Sequence, residues 1–195
     1  FTPEQQMLLE ENISKSKNAL SPYAAREEDA VRMHRASSVK SGGGLLRSPY
    51  SVDIDKIIHN PFFNRCADKT QVFSLYKNDD ITHRSLHIQL VARTASIIAR
   101  ALGLDTELTE AIALGHDMGH TPFGHRGEAV LNKISLRHTG RYFHHNVHSV
   151  RTLKNVLWCN LTLQTYDGML CHCGEKDFEE YKPGTLSTFD ELEGE

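Results

Sequence analysis

Histidines are concentrated in one stretch of this sequence, where their spacing suits metal binding. Nine of the twelve histidines lie between positions 83 and 148. His87 falls on the apolar stripe of one predicted helix, and His116 follows Ile112 by one helical turn on the next and directly precedes Asp117. A lone inward histidine is more simply a hydrogen-bonded core residue. Two imidazoles from facing helices beside a carboxylate favour a divalent metal site.

The length of the helical hairpin selects one of two histidines on the first helix. At about 1.5 Å per residue, His116 lies about 15 Å beyond Thr106 and His87 about 22 Å before Leu102. The angle at which the helices cross and the lengths of the two side chains can make up for this difference in distance along the helices. His83 would lie about one turn further out, near 28 Å. We therefore expect His87 to be the ligand and His83 a supporting group or a helix-entry residue.

The elements that must position these groups are all helical. From Ser51 onward no sustained alternation of period two indicates a strand, so the fold class is all-α, a helical bundle. One helix is predicted over Ser85–Leu102, ended by Gly103, and the next begins at Asp105 or Thr106 and closes at Gly119 and Pro122. The apolar stripe expected to face the core from the first helix comprises Leu90, Val91, Thr94, Ile97, Ile98 and Ala101. Further helices are predicted over 126–135, 145–156 and 161–172, and one over Ser21–Arg35.

The chain divides by composition into three parts. Residues 1–50 form a partly flexible N-terminal arm, partly helical, with a glycine-rich linker at 42–44. Residues 51–175 form the helical core. Residues 176–195 are an acidic C-terminal tail, expected to be a turn followed by a solvated segment.

Composition excludes several classes of protein. The 195 residues carry a net charge of −3, which gives no basic face for a nucleic-acid-binding protein. No apolar run approaches the length of a membrane span, so a cytoplasmic location is expected. Four cysteines are too few for a disulfide framework and are expected to be reduced thiols. Cys171-His172-Cys173 lacks a second pair at zinc-finger spacing.

A continuous segment around the second histidine resembles a known family. Ala111-Ile112-Ala113-Leu114-Gly115-His116-Asp117-Met118-Gly119-His120-Thr121-Pro122-Phe123-Gly124-His125-Arg126-Gly127-Glu128, with a histidine 29 positions before His116, is similar to the HD-domain phosphohydrolases, specifically the bacterial deoxyguanosinetriphosphate triphosphohydrolases (dGTPases). The resemblance covers about 51–175 and continues through 68–73, 140–146 and 163–168. It matches an N-terminal and central portion of that family, so the core is an incomplete HD-type domain.

The resemblance implies a role for each matching position. In such enzymes the first histidine, the His-Asp pair and a distant aspartate hold a divalent metal, and here the first three are His87, His116 and Asp117. The fourth is missing, since neither Asp167 nor Asp177 occupies a matching position. Among the remaining matches, His125 and Glu128 correspond to positions linked to water activation and proton transfer. His120 lines the same turn, and His145 matches a further active-site histidine.

Substrate contacts are a second set of expectations. Arg65, Lys69 and Arg84 are candidates for the phosphates, although each could equally be an ordinary surface cation. Gln71 is a candidate for the nucleoside. Tyr166 is a candidate to stack against a base or sugar, the alternative being a core tyrosine whose hydroxyl reaches outward.

The resemblance implies metal-dependent hydrolysis of deoxynucleoside triphosphates, above all of dGTP to deoxyguanosine and triphosphate. Manganese or magnesium is the expected cofactor, with iron, nickel and zinc as further candidates. Two alternatives stay open: an HD phosphohydrolase acting on another nucleotide phosphoester, and a truncated, non-catalytic nucleotide-binding or regulatory module. A homo-oligomer is expected by the same resemblance, with no membrane partner and with nucleic acid only as an effector.

Overall fold

A computed structural model of the chain describes residues 2–34, 47–69, 80, 82–172, 184 and 186–194. In these residues the chain is built from helices, and an isolated β-bridge joins Arg32 to Thr162. This confirms the all-α fold class. The helices are α1 (Pro3–Asn18), α2 (Pro49–Ile58), α3 (Pro61–Asp68), α4 (Arg84–Ala101), α5 (Thr106–Gly115), α6 (Gly124–Thr139), α7 (His145–Arg151), α8 (Leu163–Cys171) and α9 (Phe189–Gly194). Short turns of 3₁₀ helix at Glu27–Asp29 and of π-helix at Thr152–Val156 complete the elements.

Side-chain caps fix where several of these helices begin. The Asp105 carboxylate accepts the backbone N–H of Leu108 at 2.8 Å and starts α5, as the sequence predicted. The same kind of cap, from a residue just before the helix, starts α2, α3 and α8, and the capping residues are Ser48, Asn60 and Thr162. Proline at the first helical position of α2 and α3 reinforces the start, because its fixed φ suits a helix and its missing N–H needs no partner there.

The hairpin of α4 and α5 forms as expected, but α4 buries a different face. Gly103, with φ of +68°, follows the end of α4. The residues of α4 that face the core are Arg84, Ile88, Ala92 and Ala99. Of the expected stripe only Val91 is half-buried, and the predicted inner positions that lie exposed are Leu90, Thr94, Ile97, Ile98 and Ala101. The helix has two apolar sides, and the side that carries the small residues Ala92 and Ala99 is the buried one.

The core lies where α5 meets α2, α4 and α8. Its largest fully buried apolar side chains come from α2, α4, α8 and the segment before α8, and they are Ile57, Ile88, Leu153, Leu161, Leu163, Tyr166 and Met169. Burial of such side chains stabilises the fold by about 1.5–3 kcal/mol each. None of the described helices combines the length and the apolar character needed to cross a bilayer.

The N-terminal arm differs from the expectation of a helix over Ser21–Arg35. Between 21 and 34 the chain runs as turns and one 3₁₀ turn, while α1 precedes it. Besides local turn bonds, the backbone of this stretch bonds to a distant residue: Leu163 donates its N–H to the carbonyl of Val31 at 2.7 Å. Arg32 forms an ion pair with the buried carboxylate of Asp53 at 2.7 Å. The glycine-rich linker lies outside the described residues.

Part of the acidic C-terminal tail packs on the core and is not simply solvated. Leu192 is buried, and the rings of Phe189 and Tyr166 meet edge to face with centroids 6.1 Å apart. The buried ammonium group of Lys154 pairs with the Glu193 carboxylate.

Candidate active site

The three predicted metal ligands meet where the N-terminal end of α4 lies beside the C-terminal end of α5. The donor atoms of His87, His116 and Asp117 all lie within 4.8 Å of one another. The His87 and His116 rings face each other edge to face, with centroids 6.1 Å apart. His116 and Asp117 are buried and His87 is half-buried. The helical hairpin therefore brings together the groups that sequence spacing assigned to one site.

The chemistry of this donor set fits a divalent cation. The His116 Nδ1 lies 2.7 Å from the carbonyl oxygen of Ala113, which can only accept, so Nδ1 carries the hydrogen and Nε2 offers its lone pair. Burial lowers the pKa of His116, which favours the neutral imidazole that metals bind. Burial alone would raise the pKa of Asp117, but the nearby His116 and Arg84 lower it overall, so the carboxylate is ionised.

Arg84 holds the carboxylate of Asp117 from its other side. The buried guanidinium donates through Nη1 to Oδ2 of Asp117, while Oδ1 lies 3.4 Å from Nε2 of His116. The Arg84 Nε is buried without a hydrogen-bond partner among the described residues. Arg84, expected to contact phosphate, therefore also orients a candidate metal ligand.

Two further groups of donor atoms continue from Asp117 toward the protein surface. One consists of Asp117, His120 and His145, and the next of His120, His125 and Glu128. The rings of His120 and His145 stack with centroids 4.7 Å apart. Burial, and next the charge of Arg84, lower the pKa of His120 to about 4, so its ring is neutral near pH 7. The predicted metal and catalytic residues thus form one continuous site.

Glu128, near the start of α6, binds two of the candidate catalytic histidines. Its Oε1 accepts the backbone N–H of His145 at 3.0 Å and lies 2.9 Å from Nδ1 of the same residue. Its Oε2 lies 3.5 Å from Nδ1 of His125, whose side chain is 88% exposed. Burial would raise the pKa of Glu128, but the hydrogen bonds and charge of His145 lower it overall. The ionised carboxylate can therefore orient both imidazoles.

One buried serine ties α7 to the turn that carries the His-Asp pair. The Ser149 hydroxyl accepts the N–H of Gly119 at 2.8 Å and lies 2.7 Å from the carbonyl of His116 and 2.9 Å from that of His145. This contact fixes His145 relative to the turn 116–119.

Only some of the candidate substrate-binding residues lie at the site. Lys69 reaches the site, where its ammonium group donates to the carbonyl of His120 at 2.8 Å, and burial lowers its pKa. Arg65 is exposed and its guanidinium lies 4.0 Å from the centre of the Phe62 ring. Tyr166 is fully buried in the core, which does not leave a ring face for a base or sugar. Gln71 lies outside the described residues.

The structure adds His172, which sequence reasoning considered only as part of a zinc finger. Its ring lies 5.0 Å from that of His116 and 5.3 Å from that of His145, centroid to centroid. A histidine at the end of a helix has no periodic signal of its own. Only the packing of α8 against α5 and α7 brings it to the site. Asp167, on the same helix, instead accepts a hydrogen bond from the thiol of Cys171 at 3.5 Å.

Comparison with known proteins agrees with this geometry. The HD domain family matches residues 84–181, half of the chain. The deoxyguanosinetriphosphate triphosphohydrolase-like protein of Caldanaerobacter subterraneus subsp. tengcongensis is 44% identical over 154 residues, which cover 78% of this chain and 44% of that protein. The protein of the same name from Caulobacter vibrioides is 40% identical over 178 residues, which cover 87% of this chain and 44% of that protein.

The aligned part is therefore less than half of the length of these relatives. The family match spans the hairpin, the His-Asp pair, Glu128 and His145, which are the residues that the structure gathers into one site. The chain belongs to the HD-domain family, and its relatives within it are the deoxyguanosinetriphosphate triphosphohydrolase-like proteins.

Proposed function

We propose that the protein is a metal-dependent phosphohydrolase that converts deoxynucleoside triphosphates, dGTP above all, to the deoxynucleoside and triphosphate. The observation that carries the proposal is that two sets of residues lie next to each other. The candidate metal ligands are His87, His116 and Asp117, and the candidate acid–base residues are His125 and Glu128. His120 and His145 connect the two sets. The names of the relatives support a deoxynucleoside triphosphate as substrate.

His87, His116 and Asp117 would hold the metal, for which manganese or magnesium is the expected ion. When bound, the ion supplies Lewis acidity toward a phosphoryl oxygen and lowers the pKa of water. The residues themselves favour this: His116 is turned by the Ala113 carbonyl so that Nε2 faces Asp117. Donor groups already held in position lower the cost of ordering the site.

The acid–base work falls to the outer part of the site. His125 is exposed and lies within reach of Glu128, so its imidazole can meet a substrate and exchange a proton with it. Glu128 stabilises a protonated His125 in the way that a carboxylate orients and stabilises an imidazolium. His120 is neutral near pH 7 and can accept or donate one hydrogen bond without adding charge.

Cations near the pocket favour a polyphosphate ligand. Lys69 and Arg84 lie beside His120 and Asp117, and their charges can offset that of a phosphate chain. Contact of either group with substrate requires it to exchange its present protein partner for a phosphate oxygen. A homo-oligomer remains part of the proposal, supported by apolar side chains left exposed on α4 and α6, among them Leu90 and Ile134.

Product analysis tests the proposal. With manganese and dGTP, the purified protein is expected to release deoxyguanosine and inorganic triphosphate, and His116→Ala or Asp117→Ala is expected to abolish turnover and the binding of manganese. His138→Ala, at an exposed position of α6, is the control that keeps both.

Other results of the same assay would favour one of the two alternative functions or refute the site. Release of monophosphate or orthophosphate would favour another phosphoester as substrate, and nucleotide binding without turnover would favour the non-catalytic module. Unchanged rates in the His116 and Asp117 variants would refute the site. Elemental analysis of the protein as isolated identifies the metal.

A further inference from the structure

Three side chains at the exposed edge of the site form a donor group that shares no member with the predicted metal ligands. His120, His125 and Glu128 each offer one donor atom, and these atoms all lie within 4.8 Å of one another. The two imidazole rings meet edge to face with centroids 5.5 Å apart, and a Glu128 oxygen lies 3.5 Å from Nδ1 of His125. We call these three residues the outer cluster. It combines two imidazoles with one carboxylate.

The turn between the two histidines holds them close to each other. Phe123 and Gly124 both have a left-handed backbone, with φ of 66° and 59°, and the Thr121 hydroxyl donates to the carbonyl of Gly124 at 2.9 Å. A left-handed conformation is uncommon for residues other than glycine, and the exposed Phe123 ring is not held there by packing. Strained backbone of this kind occurs at ligand sites, where it orients the groups that bind.

Two of the three donors are fixed by contacts outside the outer cluster. The carbonyl of His120 accepts from the Lys69 ammonium group at 2.8 Å, and its ring stacks on that of His145. One oxygen of Glu128 accepts the N–H of His145 at 3.0 Å, and the other faces His125. The His125 side chain is 88% exposed and is therefore the donor that can move.

The spacing of the outer cluster suits a small transition-metal ion. Tetrahedral zinc with ligands at about 2.0–2.2 Å separates its donor atoms by about 3.4 Å. Rotation of the exposed His125 side chain can close the difference from the observed limit of 4.8 Å. Two nitrogens and one oxygen suit zinc, whereas magnesium and calcium select oxygen ligands and manganese binds such a set more weakly.

We propose that the outer cluster is a second cation site, for zinc, and that zinc bound there stops turnover. An imidazole that ligates zinc through its lone pair cannot use that lone pair to exchange a proton with a substrate. Zinc would therefore occupy His125 and the Glu128 carboxylate that supports it. The inhibition rests on the proposed function, whereas the binding of zinc does not.

A zinc titration in an Asp117→Asn background isolates the outer cluster, because Asp117 belongs to both of the other donor groups of the site. The samples are chelator-treated full chains that carry Cys171→Ser and Cys173→Ser, since thiolates bind zinc. Calorimetry and elemental analysis after dialysis should find two zinc ions per chain with Asp117 intact and one with Asp117→Asn. Adding His125→Gln should weaken that remaining site by more than about a hundredfold, since loss of an outer-shell partner alone costs about 10–100-fold. Adding His138→Gln, exposed on the same helix, should leave it unchanged.

The dGTP assay tests the inhibition. With manganese present, turnover of the protein with Asp117 intact should fall by about a hundredfold or more as the second equivalent of zinc binds, the scale of lost acid–base catalysis. Loss of turnover with the first equivalent would show that zinc acts at the inner ligands, and the inhibitory role would be wrong.

Two binding results would overturn the zinc site itself. One is a single zinc ion per chain with Asp117 intact. The other is a zinc ion in the Asp117→Asn background that remains bound after both His125→Gln and Glu128→Gln. If the protein shows no turnover without zinc, the proposed function fails, and the titrations alone decide the second site.

Discussion

His120 links the stability of the fold to pH. Burial, and next the charge of Arg84, lower its pKa from 6.5 to about 4, and the residue is 4% exposed. The folded state therefore disfavours the protonated ring, and unfolding takes up a proton below pH 6.5. The sign follows: the stabilisation that depends on neutral His120 is complete above pH 6.5 and is lost as the pH falls toward 4.

The size of the effect follows from the two pKa values. Their difference corresponds to about 3 kcal/mol when the ring is fully protonated in both states, and to about 2 kcal/mol at pH 5. Replacing His120 by glutamine removes the titrating group and keeps a polar side chain. The loss of unfolding free energy between pH 7 and pH 5 should then be about 2 kcal/mol smaller than in the wild type.

Urea unfolding at both pH values, with a chelator present so that metal binding does not contribute, measures this difference. His138→Gln serves as the control, because an exposed histidine should leave the pH dependence of the wild type unchanged. Equal losses in His120→Gln and the wild type would show that burial of this ring does not couple folding to protonation, and the assignment of His120 as a neutral residue of the site would fail.

Two substitutions test the packing that supports the site. Asp53→Ala removes the buried partner of Arg32 and should lower the free energy of urea unfolding by about 3–5 kcal/mol. Asp55→Ala, which breaks a half-exposed surface pair, should lower it by less than about 1 kcal/mol. Similar losses in the two variants would contradict the role given to burial. Gly127→Ala would place a Cβ 2.0 Å from the carbonyl oxygen of Pro122, so α6 must shift. We expect a fall in melting temperature and a loss of turnover, and a fully active, equally stable variant would refute the close packing.

The residues of the candidate site could be grouped from the sequence because most of them are close together in the chain. His116, Asp117, His120, His125 and Glu128 lie within thirteen positions, and helix geometry was enough to bring His87 to them. The caps and glycines that end α4 and start α5 act between near neighbours, so the hairpin could be predicted as well.

The remainder depends on contacts between distant residues. Helix α4 is apolar on two sides, and sequence alone does not say which side another helix covers, so Leu90 and Ile97 were expected inside and lie exposed. The stretch after Ser21 carries a helix-start pattern, yet its backbone bonds to α8 more than a hundred positions away. His172 enters the site by the same long-range packing.

Helix α8 has one end held by a carboxylate and the other end in the site. Asp53 accepts hydrogen bonds from the Thr162 N–H at 2.8 Å and from the hydroxyls of Thr162 and Thr165 at 2.7 and 2.9 Å. These three bonds fix the first turn of α8 both in its rotation about the helix axis and in its position along that axis. A helix transmits such a constraint along its length, and ten residues carry it about 15 Å. An acidic group that takes no part in the chemistry thereby aims the imidazole of His172, and the N-terminal arm, through Arg32, shares in that alignment.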